Sequence, residues 1–215
     1  MHNEEAVVIP YYHNDLSEYE KISYAQGIRI LGKYPIILVM PSDFVDEDLP
    51  KTENIMIERV PKEWLRSIAS YNKMMLDIEL YKRFQQYKYI LLYQLDAFVF
   101  SDKLIEMCEY DYDYIGAPWI RGYFYYMDEA HSVWQVGNGG FSLRKVHSFI
   151  ELLKKGVQDY YWNEDVFYGI SSSSYFRVAP VDVALKFAFE QEIEKCFELT
   201  NGELPFGCHR QILGG

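Results

Sequence analysis

Tyr89-Ile-Leu-Leu-Tyr-Gln-Leu-Asp-Ala-Phe-Val-Phe100 is the stretch from which the fold can be read. Tyr89 to Tyr93 is apolar or aromatic at every position, the pattern of a strand covered on both faces in a parallel sheet. Asp96 then interrupts the run beyond the strand's carboxyl end. An unpartnered carboxylate in such surroundings is costly, so Asp96 points to a ligand or a cation more than to a plain turn.

Toward the amino terminus, Ala6 to Tyr11 is a β-branched run stopped by Pro10 and a polar turn at His13-Asn14-Asp15, and Tyr34 to Met40 and Ile55 to Val60 also read as strands. Leu16, Tyr19, Ile22, Ile28 and Leu31 before Gly32 predict a helix over 16–31. Met74, Met75, Ile78, Leu80, Tyr81 and Phe84 predict another over 70–86. Beyond the central run, a short helix follows Ser101, Tyr112 to Ile115 reads as a strand, and Gly137-Asn138-Gly139-Gly140 is a turn leading into a strand through Arg144. Further helices are expected from Val146 to Lys155 and from Asp182 to Cys196, while Ile120 to Gln135 has no period and reads as a pocket wall. Strand and helix alternate, which gives an α/β fold with a central, mostly parallel sheet flanked by helices. Ligands of such sheets sit outside the carboxyl ends of the strands, which collects Pro10, Tyr11, Asp43 and Asp96 on one edge.

One domain over residues 1–215 accounts for the length, since there is no Pro/Gly/Ser-rich linker and no repeat of fixed period. The apolar runs fall far short of the ~20 residues of a membrane helix. Met1-His2-Asn3-Glu4-Glu5 lacks the basic start of a signal peptide, so a cytoplasmic location is expected, or one peripheral to the inner face of the membrane. A formal charge of -11 argues against broad attraction to nucleic acid or anionic lipid. Cys108, Cys196 and Cys208 are odd in number and form no C-x-x-C pair, so neither a disulfide framework nor a zinc knuckle is suggested. Aromatic residues make up 17 %, more than a plain core needs, leaving some rings as platforms for sugars.

Five motifs occur in order: the run at Tyr89 to Phe100, Tyr-Asp-Tyr-Ile-Gly-Ala-Pro-Trp at Tyr112 to Trp119, Val-Gly-Asn-Gly-Gly-Phe-Ser-Leu-Arg at Val136 to Arg144, Asn-Glu-Asp-Val-Phe at Asn163 to Phe167, and Pro-Phe-Gly-Cys-His at Pro205 to His209. Together they resemble the GT-A glycosyltransferases, most closely a bacterial family from polysaccharide gene clusters that is mostly of unknown function. The likeness spans nearly the whole chain. A more distant likeness is to the β-1,3-galactosyltransferase and Fringe group, where a glycine-rich strand, a helix and a Glu-Asp-Val segment also follow an acidic strand end.

The resemblance implies a single Rossmann-like GT-A domain that moves a sugar from a nucleotide-diphosphate donor to an oligosaccharide or lipid-linked glycan acceptor in surface polysaccharide synthesis. It also implies Mn²⁺ or Mg²⁺ bridging the donor diphosphate. The metal motif of that fold is Asp-x-Asp, whereas Asp96-Ala97 is followed here by Phe98, so the second acidic ligand is missing and His209 is the expected completion. By the same resemblance Asp165 is the base of an inverting transfer, with Glu164 beside it as the other catalytic residue. Pro10, Tyr11 and Asp43 belong to the nucleoside pocket, and Lys73 and Arg66 lie near the helix that skirts the diphosphate.

Sugar transfer needs a base for the acceptor hydroxyl and charge stabilisation on the departing diphosphate. Two adjacent carboxylates such as Glu164 and Asp165 can raise one pKa, though at a helix start they also serve as caps. Gly139 and Gly140 permit close backbone approach to a donor, Asn138 offers both a donor and an acceptor group, and Arg210 and Arg144 are cations near motifs. Trp119, Tyr123 and Trp134 are candidate acceptor platforms. Two other functions fit parts of the pattern: a catalytically degenerate protein that binds glycans or nucleotide sugars, and a glycoside hydrolase using paired carboxylates.

Overall fold

The computed structural model describes residues 4–45, 54–120, 135–157, 163–172 and 174–209. Its main sheet has six strands: β1 (Glu5–Pro10), β2 (Ile36–Pro41), β3 (Ile55–Val60), β4 (Tyr89–Tyr93), β6 (Tyr114–Ile115) and β9 (Phe141–Lys145), in the spatial order β3-β2-β1-β4-β9-β6. β1 to β4 run parallel, and β9 is antiparallel to both β4 and β6. The expected mostly parallel α/β sheet is therefore present.

All five residues of β4 are buried, and their side chains alternate between two cores. Tyr89, Leu91 and Tyr93 pack with Val7, Ile9 and Leu38 on one face; Ile90 and Leu92 pack with Val8, Ile37 and Val39 on the other. Burying each such side chain contributes roughly 1.5–3 kcal/mol, which is why the strand tolerates no polar position. Helix α1 (Glu18–Leu31) starts with a capping box in which the Ser17 hydroxyl accepts from Glu20 N–H and the Glu20 carboxylate accepts from Ser17 N–H.

Two expected helices are broken, each for a local reason. The span 70–86 divides into α2 (Ile68–Met75) and α3 (Ile78–Lys82), because Asp77 caps the second by accepting from Glu79 N–H. The carbonyl of Met75 is meanwhile taken by the hydroxyls of Tyr81 and Tyr168, at 2.9 and 2.7 Å, so the helix need not continue to satisfy it. The span 182–196 divides into α7 (Val181–Phe187), a two-residue strand β10 (Ala188–Phe189) and α8 (Ile193–Leu199). Pairing of β10 with β11 (Gly207–His209) overrides the helical pattern there.

β10 and β11 form a small sheet with β5 (Ala97–Val99). The remaining described elements include α4 (Leu104–Glu109), the pair β7 (Pro118–Trp119) and β8 (Gln135–Val136), α5 (Val146–Lys154) and the short α6 (Glu164–Val166). No helix among the described residues is long and apolar enough to cross a membrane. The three cysteines are buried and free.

Candidate active site

Strand order places a crevice where the chain switches sides, between the carboxyl ends of β1 and β4. β9 runs the other way, so its amino end, and the glycine turn before it, arrives at the same edge: Phe141 pairs with Tyr93, and Gln94 N–H donates to Gly140 O at 2.8 Å. β11 pairs with β5 in the register His209 to Ala97, which brings the last motif beside Asp96. A cavity of about 660 Å³ opens there, within the range of ligand pockets. Pro10, Asp96, Asn138, Gly139, Gly140, Glu164, Asp165 and His209 all line it.

On one wall, His209 Nε2 lies 3.1 Å from Asp96 Oδ1 and 3.3 Å from Gln94 Oε1. Its Nδ1 is 3.6 Å from Glu190 Oε1, an ion-pair distance too long for a hydrogen bond. Burial depresses the imidazole pKa, but the two carboxylates Asp96 and Glu190 outweigh it and raise the group to about 9. The Gln94 amide N–H₂ donates to the Tyr71 hydroxyl at 2.7 Å, which turns its carbonyl oxygen toward His209. Gln94 and Asp96 both line the cavity, whereas Phe98 lies in β5 with its ring against Phe100. Gln94 thus places an amide oxygen beside His209, where Phe98 offers none.

A divalent cation that displaced the His209 proton would find a carboxylate, an imidazole and an amide carbonyl here, a donor set suited to Mn²⁺ or Mg²⁺. No group of three or more His, Cys, Asp or Glu that could hold a metal occurs among the described residues. The amide carbonyl of Gln94 is the third protein oxygen or nitrogen that this wall offers beside Asp96 and His209.

Also in the lining, α6 carries Glu164 and Asp165. Asn163 occupies the cap position, but its Oδ1 accepts from Asn72 Nδ2 at 3.4 Å instead of capping the turn, and Asn72 Oδ1 accepts from Glu164 N–H at 3.2 Å in its place. Glu164 is claimed by Arg144, whose Nη2 reaches its two oxygens at 3.2 and 3.1 Å. Asp165 accepts from Val166 N–H at 2.8 Å and is raised to about 7, first by burial and then by the neighbouring Glu164 charge. A carboxylate raised this far can accept a proton near neutral pH.

The glycines serve the site itself. A Cβ on Gly139 would overlap Glu164 Oε1, and one on Gly140 would overlap His209 Nε2. Asn138, at φ 61°, is buried; its Oδ1 accepts from Gly140 N–H at 3.2 Å. Its Nδ2, like Glu190 Oε2 and His209 Nδ1, has no hydrogen-bond partner among the described residues, which leaves a donor and an acceptor for a polar ligand.

Several residues singled out in the sequence lie elsewhere. Tyr11 is buried with its ring edge-on to Tyr24 and Phe44, and Tyr12, one position on, lines the cavity instead. Asp43 is exposed and 3.5 Å from Lys62, and Lys73 is an exposed residue of α2 outside the cavity lining. Arg66 does line the cavity. Arg144 is fully buried and faces Glu164, so it is no surface cation. Trp119 is 3 % exposed with its indole over Gly137, which makes it part of the packing. Tyr123, Trp134 and Arg210 lie outside the described residues.

Gln94, Tyr12, Tyr71, Asn72 and Glu190 join the lining without having been assigned a role from sequence. Gln94 carried a signal, its two-residue spacing from Asp96; Glu190 carried none, since it fell inside an apparent helix.

Known structures share this architecture at low identity. The mannosyltransferase Ktr4p from S. cerevisiae superposes with a TM-score of 0.58 at 12% identity, covering 81% of this chain and 66% of that one. This chain therefore spans just under two thirds of the yeast protein. The galactosyltransferase LgtC, solved with donor and acceptor sugar analogues, gives 0.55 at 13% identity over 95% of this chain and 86% of that one. An active-site mutant of LgtC gives 0.58 at 14% identity, covering 98% and 88%. These likenesses establish the GT-A fold. No curated protein matches the sequence. By sequence the chain belongs to the family described as "Protein of unknown function (DUF5672)", which matches residues 54–209.

Proposed function

We propose that the protein is a GT-A glycosyltransferase that moves a sugar from a nucleotide-diphosphate donor to a glycan acceptor with inversion, within one domain over residues 1–215. The observation that carries the reading is that Asp165 lines the same cavity as the Asp96–His209 pair, and burial and Glu164 raise its carboxyl as a base requires. Asp165 takes the acceptor hydroxyl proton as the acceptor oxygen bonds to the anomeric carbon, and the bond from that carbon to the donor diphosphate breaks. Surface polysaccharide is the acceptor class in view, and the inner face of the cytoplasmic membrane the place where a lipid-linked one would be met.

Charge supports a cation with the donor. Glu20, Asp96, Glu164, Asp165 and Glu190 line the cavity, against Arg66, His13 and His209. Arg144 lies close by but is neutralised by Glu164. A diphosphate brought into this field needs positive charge beside it. Asp96, His209 and the Gln94 carbonyl would hold Mn²⁺ or Mg²⁺, which when bound would neutralise the leaving diphosphate. Asn138 Nδ2 and Glu190 Oε2 are suited to donor sugar hydroxyls, and Tyr12 to packing against the nucleoside beside Pro10.

The hydrolase reading loses ground because the adjacent pair cannot provide two free carboxylates: Glu164 is bound by Arg144. The non-enzyme reading takes its support from the amide at residue 94, which weakens the cation site without closing the cavity. A panel of nucleotide sugars, tested for thermal stabilisation with and without Mn²⁺ and for sugar transfer or release, separates the three. Metal-linked stabilisation with transfer supports the proposal; binding without turnover supports the non-enzyme reading.

A further inference from the structure

Arg144 is the largest fully buried side chain among the described residues, and none of its nitrogens is left for a ligand. Its Nε donates to Ser142 Oγ at 2.9 Å and Nη1 to the Tyr81 hydroxyl at 2.7 Å. Nη2 meets both Glu164 oxygens and Gly139 O, the last at 3.2 Å. The rings of Tyr114, Phe149 and Tyr168 lie 5.5–5.8 Å from the guanidinium carbon. One side chain thus ties β9, the glycine turn, α3 and α6 together.

We propose that Glu164 is a positioning residue for Asp165: clamped by Arg144, it takes no part in proton transfer, and its fixed charge one residue away adds to burial in moving upward the pH range in which Asp165 acts as base. The inference rests on the reading of Asp165 as base. A buried ion pair gives little net stability over apolar side chains of the same volume, so stability alone is a weak reason for this one. What the clamp provides is a negative charge at a defined place one residue from Asp165. The absent side chain at Gly139 is part of the same device, since Glu164 Oε1 fills the space.

The groups facing Asp165 are few. Among the described residues, Glu164 lies on its own turn, Glu190 follows β10, Arg144 comes from β9 and Tyr114 from β6. Glu164 and Glu190 push the Asp165 pKa up, and Arg144 draws it down. Neutralising Glu164 alone therefore does two things: it removes the repulsion and leaves an uncompensated cation.

The test is the pH dependence of kcat/KM for transfer in wild type, in Glu164→Gln, and in the double variant Arg144→Met/Glu164→Gln, with folding checked by circular dichroism. The acid limb is expected near neutral pH in wild type, at least about one pH unit lower in Glu164→Gln, and between the two in the double variant. Loss of packing alone lowers rates without producing that order. An unmoved acid limb in both variants, or a double variant displaced further than the single one, overturns the proposal. Asp165→Asn distinguishes the two readings: if it keeps wild-type activity, the base assignment has failed, whereas the present inference fails when Asp165 is essential and the limb stays put. Should the variants not fold, carboxyl ¹³C titration of Asp165 in the wild-type chain and in Glu164→Asp decides. A midpoint near the ordinary value of 3.8 overturns the inference; one near neutrality supports it when Glu164→Asp, which moves the neighbouring charge, shifts that midpoint, and overturns it when the conservative variant leaves it in place.

Discussion

His209 Nε2 stands 3.1 Å from Asp96 Oδ1 across 113 residues of sequence, because β11 and β5 pair in the one register that sets His209 opposite Ala97. Shifting that pairing by one residue would turn the imidazole to the other face of the small sheet. The Asp96–His209 side of the cavity is therefore a product of strand register, while the Asp165 side depends on how α6 is held.

The first prediction concerns this pair. Burial alone would lower the His209 pKa, but Asp96 and Glu190 raise it to about 9 from 6.5. A raised histidine contributes stability that is fully present below pH 6.5 and is lost as pH rises through about 9. With metal chelated, wild type should lose on the order of 3 kcal/mol more than His209→Gln between pH 6 and 9.5, as an upper figure. Urea unfolding at both pH values measures it; parallel losses in the two proteins would contradict the assignment.

Asp165 carries the opposite consequence. Its pKa is raised by burial and by Glu164, so its ionisation opposes folding, and the stabilising proton is lost as pH rises from 3.8 through about 7. Asp165→Asn should match wild type near pH 4 and exceed it by on the order of 2–4 kcal/mol at pH 8. Equal stability at pH 8 would show that Asp165 is not desolvated as described.

Gln94 is expected to limit metal affinity. Gln94→Asp keeps an oxygen at the same two-residue spacing from Asp96 and adds a charge, which should tighten Mn²⁺ binding roughly tenfold. Calorimetric titration of the two proteins is the measurement. Unchanged affinity would place the cation away from Gln94.

The glycine turn should tolerate no side chain. Gly139→Ala and Gly140→Ala force a methyl into Glu164 and His209, and each should cost about 1–3 kcal/mol and reduce donor binding. Gly156→Ala, at φ +64° with open space around it, serves as the control: strain of about 1 kcal/mol and unchanged donor affinity are expected. Equal effects at all three would mean that backbone strain, not site packing, explains the glycines.

The sheet was legible because β4 and its neighbours carry unbroken apolar runs, which physical chemistry allows in few other places. Asp96, Asp165 and His209 were legible because each is polar beside such a run. What escaped depends on contacts distant in sequence. Ala188 and Phe189 have helical neighbours, and only their pairing with Gly207 and Cys208 makes them a strand, so Glu190 could not be placed. Arg144 reads as a cation near a motif, and only its aromatic surroundings and Glu164 show it to be buried. Tyr11 and Tyr12 are equivalent in sequence, and the local turn of the chain after β1 decides which one meets the cavity.

Rapid-quench transfer by Asp165→Asn, with donor affinity measured in parallel, tests the central claim most directly. The amide keeps the shape of the carboxylate and cannot take the acceptor proton. Donor affinity should stay within about threefold while transfer falls by roughly 10²–10⁴-fold, the range expected for a lost general base. Transfer at near the wild-type rate would contradict the account.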